Sequence, residues 1–210
     1  MLPSRNGYPG NPSHQEMNIM LQTINRIGGL LWINLANTVR MQEKSRTDRL
    51  LDPPSLLEWL RDNELPDSVR ELPLEQLRKE LTALRELCDR VLEDLARHGK
   101  LSEPTYDALQ VRAEKLIVGV KLTMTGEGPD LEYTGRSGSE ALSLLVLRSI
   151  ADTLRTVPAE RIRKCEHEDC ILRFADISKG GRRRWCSMET CGNRHKAAEF
   201  YAKKKQQAEG

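Results

Sequence analysis

The chain has 210 residues, of which 38% are hydrophobic and 30% are charged, enough for one sizeable domain and a small second module. Its longest strongly apolar stretch, residues 141–147, ends at Arg148 and is far shorter than a membrane span. Residues 1–10 contain Pro3, Pro9 and Gly10 where a secretory signal needs an apolar run. We therefore expect a cytoplasmic protein with no membrane partner.

Charge and cysteine are both concentrated near the C-terminus. Residues 1–160 hold 20 Lys and Arg against 24 Asp and Glu, a net charge of −4, whereas residues 161–210 hold 13 against 7, a net charge of +6. A mildly acidic body with a basic tail indicates an appendage that binds polyanions. Of the five cysteines, only Cys88 lies in the body. Because an odd number of thiols without a secretory signal favours a reducing compartment, the four clustered cysteines predict metal binding rather than disulfides.

The first part of the chain predicts a leader followed by short buried elements. Residues 1–16 are rich in proline and glycine and cannot bury apolar surface, so we expect them to be disordered. Residues 30–35 form an apolar run that is typical of a short buried strand, and a short helix is predicted to begin near Asn37. Asp52 and the two prolines after it predict a further helix, because aspartate caps a helix and its first turn tolerates proline.

A long amphipathic helix is the clearest element of the sequence. Apolar residues recur at alternating spacings of three and four, and the helix is predicted to end at Gly99. The stripe consists of Leu74, Leu77, Leu81, Leu84, Cys88, Val91 and Leu95. Leu87 and Leu92 widen it, which favours packing within one domain over a coiled-coil seam, although a homodimer stays open. Cys88 lies on the stripe and is therefore predicted to be a buried, inert thiol.

Three more elements complete the predicted body. Ser102 is expected to start a helix that buries a face including Tyr106 and Leu109. Alternating residues at 118–125 and 131–134 flank a glycine-rich turn and predict a β-hairpin. Ser139 could cap a final apolar helix that ends before Pro158. Residues 159–164 would then link the body to the basic tail.

The four cysteines of the tail have the pattern of a metal site. Four residues separate the cysteines within each pair, and fifteen residues separate the two pairs. Such paired thiols offer a tetrahedral ion four soft ligands, which suits zinc. The predicted ligands of one structural zinc ion per chain are Cys165, Cys170, Cys186 and Cys191, and His167 or His195 could replace one of them. The predicted fold is α+β, with a mostly helical body at residues 17–158 that carries a small β element, followed by a small zinc finger at residues 159–210.

The tail also resembles a known family. Residues 185–194, which end in Cys191-Gly192-Asn193-Arg194, closely resemble the CGNR zinc finger. The match extends upstream through Cys170, Phe174, Asp176, Ser178 and the three arginines 182–184. In that family the finger follows an α/β body, the ABATE domain, which is described as a stress-induced transcription regulator, and residues 29–38 are similar to the opening strand of that domain. The resemblance implies binding to nucleic acid.

The residues of the finger also indicate nucleic-acid binding by themselves. The predicted binding residues are Arg182, Arg183, Arg184, Asn193, Arg194 and Lys196. The three consecutive arginines are expected to project from a metal-braced loop, and guanidinium groups match phosphate oxygens. Asn193 could reach an adenine edge or hold a helix cap. Phe174 and Trp185 are expected to form the small core of the finger rather than platforms for stacked bases.

These observations favour a bacterial transcription regulator whose finger binds double-stranded DNA and whose body senses an unidentified small molecule or dimerises. The alternative is a zinc-stabilised module that binds RNA or a protein partner. We do not expect an enzyme, because a site with four thiolate ligands has no open position for a substrate. Strong salt dependence without preference among duplexes would favour the alternative, and a palindromic preferred site would favour the regulator.

Overall fold

The computed structural model describes residues 29–126 and 128–208, so the predicted leader, residues 1–16, lies outside the described residues. Over these ranges the fold is α+β, as the sequence predicts, with seven α-helices and three two-stranded antiparallel sheets. The helices are α1 (Leu31–Ala36), α2 (Pro53–Asp62), α3 (Asp67–Arg70), α4 (Leu74–His98), α5 (Glu103–Glu114), α6 (Gly138–Thr156) and α7 (Asn193–Ala208). The strands are β1 (Val39–Gln42), β2 (Ser45–Asp48), β3 (Val118–Thr125), β4 (Gly128–Gly135), β5 (Ile162–Lys164) and β6 (Arg173–Ala175). None of the helices in the described ranges combines the length and the apolar character that a bilayer span needs.

The long helix α4 organises the core of the body. It packs against α1, α5 and α6, so its apolar stripe is covered within one chain. The buried stripe residues are Leu77, Leu81, Leu84, Cys88, Val91 and Leu95, whereas Leu74 is exposed. The helix ends where Gly99 takes a φ of 68°, the left-handed conformation that glycine favours at this position. Cys88 is completely buried in this core, as predicted, and burial raises the pKa of its thiol.

The predicted strand at residues 30–35 is wrong, because this segment forms helix α1. The helix predicted near Asn37 is wrong as well, since strand β1 follows there. The central residues of α1 are all buried, so the helix is enclosed on every side and shows no amphipathic period. A short continuous apolar run cannot distinguish a buried helix from a buried strand. Tertiary contacts decide between them, including the hydrogen bond from Trp32 Nε1 to Thr153 Oγ1 on α6 at 2.9 Å.

The elements around β3 and β4 follow the sequence with two corrections. The predicted hairpin and the end of α6 before Pro158 are confirmed. The cap of α6 is Ser137 rather than Ser139, because Ser137 and Glu140 form a reciprocal capping box. The predicted apolar face of α5 is only partly buried, because Leu109 packs against the core whereas Tyr106 is exposed. Arg112 also holds this helix, since it donates to Ser143 on α6 at 2.7 Å and pairs with Glu80 on α4.

Residues 159–164 do not form the predicted link between body and tail. They form a 3₁₀ turn (Ala159–Arg161) and strand β5, both packed against α4. Ile162 of β5 and Ala175 of β6 belong to the hydrophobic core of the body. The amide of Asn37 donates to the carbonyl of Arg173 at 2.8 Å and accepts from its N–H at 2.9 Å. The first strand pair of the finger is therefore anchored on the body, because Asn37 completes the backbone hydrogen bonds of β6.

Candidate metal centre and basic surface

The structure brings the four cysteines of the tail together. All four Sγ atoms lie within 4.8 Å of one another, and Sγ of Cys186 lies 3.7 Å from Sγ of both Cys170 and Cys191. With a zinc–sulfur distance of about 2.3 Å, the sulfur atoms of a tetrahedral zinc site lie about 3.8 Å apart. The observed spacing therefore fits one zinc ion held by four thiolates.

Three local structures position these ligands. The pairing of β5 with β6 is extended by the hydrogen bond from Cys165 N to Leu172 O at 2.9 Å, which places the first pair in the loop that connects the two strands. The backbone N–H of Cys186 donates to Sγ of Cys165 at 3.4 Å, so the second pair is tied to the first. Cys191 lies in a π-type helical turn (Met188–Gly192), which brings its Sγ close to that of Cys186. At the start of this turn the hydroxyl of Ser187 accepts a hydrogen bond from the N–H of Thr190. All four cysteines are buried.

The thiols of Cys170, Cys186 and Cys191 differ in pKa, and a bound cation would favour the ionised form of each. The hydrogen bond from Cys186 lowers the pKa of Cys170 to about 5. The same contact, together with burial, raises the pKa of Cys186, and burial raises the pKa of Cys191 to about 11. Buried thiolates this close repel one another, so only part of the cluster ionises without a positive charge at its centre. A divalent metal supplies that charge and deprotonates coordinating thiols.

Neither neighbouring histidine joins the cluster. Nδ1 of His167 accepts a hydrogen bond from the backbone N–H of Asp169 at 3.2 Å. The ring of His195 lies 4.6 Å from the ring of Trp185 between centroids, and its Nε2 lies 3.4 Å from Glu199 Oε1. Both side chains are occupied by neighbours of their own, so the four-cysteine set is the ligand set that the geometry supports.

The small core of the finger matches the prediction for Phe174. This ring is completely buried and packs in one cluster with the four cysteines and Leu172. Trp185 is only partly buried and contacts the edge of the same cluster. Its other ring contacts are the imidazole of His195 and the guanidinium of Arg184, which lies 4.8 Å from the ring centroid. Trp185 therefore joins the metal ligands to the arginine loop and to the start of α7.

A buried aspartate that sequence reasoning did not single out for this role shapes the loop before the arginines. Oδ1 of Asp176 accepts from the N–H of Ser178 at 3.1 Å and from its hydroxyl at 2.5 Å. Oδ2 accepts from the N–H of Arg183 at 2.9 Å. Burial opposes ionisation, but these hydrogen bonds and the charge of Arg163 outweigh it, so the pKa of Asp176 is lowered. The sequence signal was weak, because an aspartate can accept from the backbone N–H two residues on in an Asx turn whatever the identity of that residue.

The three consecutive arginines do not share one orientation. Arg182 is exposed, as predicted. Arg184 is half-exposed, and its Nε lies 2.5 Å from Glu166 Oε2. Arg183 differs from the expectation that it projects outward, because its guanidinium donates to the carbonyls of Trp185 and Cys186 and lies 4.6 Å from the Phe174 ring centroid. Arg183 therefore braces the backbone beside the metal ligands, since its guanidinium donates to two carbonyls of this loop.

The remaining predicted binding residues lie on α7. Asn193 begins this helix, and its Nδ2 donates to the carbonyl of Glu189 at 3.2 Å, in line with the capping alternative. Arg194 and Lys196 are exposed on the first two turns. Gly192, just before the helix, is closely surrounded, because a Cβ there would lie 2.4 Å from Sδ of Met188 and 3.1 Å from Cδ1 of Trp185. The start of α7 is thereby packed directly against the aromatic side chain that follows the arginines.

The hydrogen bonds of Asp176 lead to a testable stability prediction. Asp176→Asn replaces one acceptor oxygen by a donor, and we expect the unfolding free energy of the zinc-loaded chain to fall by about 1–3 kcal/mol. Because the pKa of Asp176 is lowered, the contribution of its carboxylate is fully present at pH 7 and is lost only as the pH falls through that value. Denaturant unfolding at pH 7 measures the change. Asp107→Asn, at an exposed site on α5, is the control, and equal stability of the two variants would contradict the prediction.

Comparison with known families agrees with this arrangement. The helical body and its C-terminal four-cysteine centre define a two-part protein with a zinc finger. The model of the CGNR zinc finger matches residues 161–204. The model of the ABATE family, described as "Putative stress-induced transcription regulator", matches residues 29–157. This match covers more than half of the chain, and the chain belongs to the ABATE family, with a CGNR zinc finger whose four cysteines could hold one zinc ion. A comparison with curated proteins found no match.

Proposed function

We propose that this chain is a transcription regulator whose zinc finger binds double-stranded DNA and whose body dimerises or responds to a small-molecule effector. The observation that carries the proposal is the set of exposed cations around a rigid, metal-braced unit. These cations are Arg182, Arg184, Arg194 and Lys196. The segment that holds them has a net charge of +6, and such surfaces bind phosphate backbones by releasing counterions.

The arginine loop supports phosphate binding by its fixed geometry. Arg184 is held by Glu166 on one side and by the Trp185 ring on the other. An open groove of about 330 Å³ lies here, and residues 182–185 and Met188 line it. A guanidinium whose position is already fixed loses less conformational entropy when it binds a phosphate.

The positions of the cations on α7 favour binding in a groove of a nucleic acid over binding to a flat polyanion. At about 100° per residue, Lys196 and Lys203 project on the side of the helix opposite to Arg194 and Lys205. A flat polyanion could contact only one of these two sides at a time. The major groove of DNA admits an α-helix between two phosphate backbones, so both sides of α7 would be used there.

A second candidate function rests on the aromatic residues of α7. Phe200 and Tyr201 are exposed, and their rings lie 5.8 Å apart in an edge-to-face arrangement. Exposed aromatic rings beside lysines are typical of surfaces that stack unpaired bases. The alternative is therefore a zinc-stabilised module that binds single-stranded RNA.

The two candidates can be separated by binding of the zinc-loaded full chain. We expect the chain to bind double-stranded DNA more tightly than single-stranded RNA of the same length, with log affinity falling linearly as log salt rises. Fluorescence anisotropy at several salt concentrations measures both. Tighter binding to the RNA would favour the alternative, and a genome-wide binding map under stress would show whether the chain occupies specific sites.

We also propose a non-catalytic role and a cytoplasmic location. Four thiolates would fill the tetrahedral shell of zinc, which leaves no position for a substrate or an activated water. The four cysteines of the finger are clustered as metal ligands would be. Cysteines that serve as zinc ligands are typical of proteins in a reducing compartment, where disulfides are rare.

A further inference from the structure

The hairpin of β3 and β4 has one polar face and one apolar face. The strand register places Leu122 opposite Leu131 and Val120 opposite Tyr133. The apolar face consists of Val118, Val120, Leu122, Met124, Leu131 and Tyr133. The other face carries polar pairs, such as Lys121 opposite Glu132. Successive side chains of a strand point to opposite faces, so the alternation of apolar and polar residues in both strands places all the apolar side chains on one face.

The apolar face is not covered by the described part of the chain. Its six side chains are between 38% and 80% exposed, and Met124 is the most exposed of them. Ile117, just before β3, is exposed as well. The base of the hairpin is fixed to the body, because a Cβ on Gly135 would lie 2.1 Å from the backbone N of Ala141 on α6. Two-stranded ribbons need a packed apolar face to be stable in water, so this face lacks the layer that such a ribbon requires.

We propose that the covering layer is the same apolar face of a second copy of this chain. In a two-fold interface the same patch is used by both copies, so that residue i of one copy meets residue j of the other and j meets i. A patch that carried charges of one sign would therefore repel its own copy. The six residues of the apolar face include no charged side chain, and the charged residues of β3 and β4 lie on the opposite face. The face is thus complementary to itself. The inference rests on the dimerisation in the proposed function and names its surface.

The area of the face is sufficient for a dimer. A fully buried aliphatic side chain removes on the order of 100 Å² of apolar surface from water. At their observed exposures, the six side chains would contribute roughly 300 Å² per copy and about 600 Å² for a symmetric pair. Because apolar atoms make up only about 60% of an interface, the total buried area would reach about 1,000 Å². That area meets the roughly 1,000 Å² that a biological interface should clear and lies below the roughly 1,200–2,000 Å² of stable interfaces, so the expected dimer is a weak one.

Two adjacent cross-strand pairs on opposite faces give a matched test. Leu122→Thr with Leu131→Thr removes the centre of the apolar face, whereas Lys121→Thr with Glu132→Thr makes the same change on the polar face. Threonine pairs are compatible with strands, so both variants keep the hairpin. In sedimentation experiments at about 1–100 µM, we expect the parent and the polar-face variant to dimerise. The apolar-face variant is expected to dimerise at least tenfold more weakly.

The measurements use no DNA, so their failure would leave the DNA-binding proposal untouched. A parent that stays monomeric up to the highest concentration would overturn the inference, and so would equal dimerisation of the two variants. If the apolar-face variant fails to fold, Met124→Thr replaces it, because this side chain is 80% exposed and supports no core. Hydrogen exchange provides a second readout, since the amides of residues 118–125 should become better protected as the concentration of the parent rises.

Discussion

Cys186→Ser is expected to abolish stoichiometric zinc binding and to unfold the metal-binding part of the finger. Sγ of Cys186 lies 3.7 Å from two of the other three sulfur atoms, so its loss opens the tetrahedral site. Structural zinc contributes about 10–16 kcal/mol to the folding of finger peptides, and residues 165–191 have only a small core of their own. Metal analysis should find one zinc per parent chain and less than one in the variant. Chelation of the parent should have the same effect.

The body is expected to keep its helices after metal loss, although its stability should fall. Ile162 and Ala175 lie in the core of the body, and Asn37 binds the backbone of Arg173, so the two parts share packing. Hydrogen exchange should therefore show lost protection at residues 165–191 and weaker protection at the adjoining strands.

Cys88→Ser is a matched control for this prediction. It makes the same substitution at another buried thiol, and the body should lose about 1–3 kcal/mol without losing zinc. Parent protein, prepared without oxygen, that held iron, a disulfide or no metal would contradict the prediction.

Periodicity predicted the long elements of the body because their two sides differ. The stripe of α4 and the alternation of β3 each separate apolar from polar residues, so the pattern is visible in the sequence. Helix α1 is buried on all sides, and the hydrogen bond from Trp32 to Thr153 joins residues 121 positions apart. No local pattern contains that contact. The state of this segment is therefore set by tertiary packing, which a window of a few residues cannot report.

The metal ligands were predictable from spacing, whereas the second layer of the site was not. Four paired cysteines have few structural roles other than a metal site, so their positions sufficed. The three arginines look identical in sequence but have different partners, which are the backbone of Trp185 for Arg183 and the carboxylate of Glu166 for Arg184. Both partners depend on the folded path of the loop that Asp176 fixes. Only the three-dimensional structure separates the bracing arginine from the exposed ones.

Replacing Arg182 and Arg184 together with alanine is expected to weaken binding to every duplex DNA sequence. Each exposed guanidinium that neutralises a phosphate contributes about 0.9 to the slope of log affinity against log salt. The double variant should therefore flatten that slope by up to about 2. Anisotropy titrations of the zinc-loaded protein at several salt concentrations measure the slope. Arg183 is left unchanged, because its removal would disturb the carbonyls of Trp185 and Cys186 beside the metal ligands.

The control for this prediction removes the same charge elsewhere. Arg97→Ala with Arg155→Ala changes two arginines of the body whose side chains are 69% and 65% exposed. If binding depends on the local position of the cations, this variant should keep the slope of the parent. If it depends only on total charge, both double variants should lose the same affinity, and the finger would then not be the binding surface.

Arg194→Ala distinguishes contact with a base from contact with a phosphate. Arg194 is exposed on the first turn of α7, directly after Asn193, whose amide is engaged with Glu189. If its guanidinium reads a base edge, the variant should lose preference at one position of the preferred site, at a cost of about 1–3 kcal/mol. If it contacts phosphate, all sequences should weaken equally and the slope should fall by about 0.9. Unchanged affinity for selected and random duplexes, in this variant and in the Arg182 and Arg184 double variant, would contradict DNA binding by the finger and favour the RNA-binding alternative.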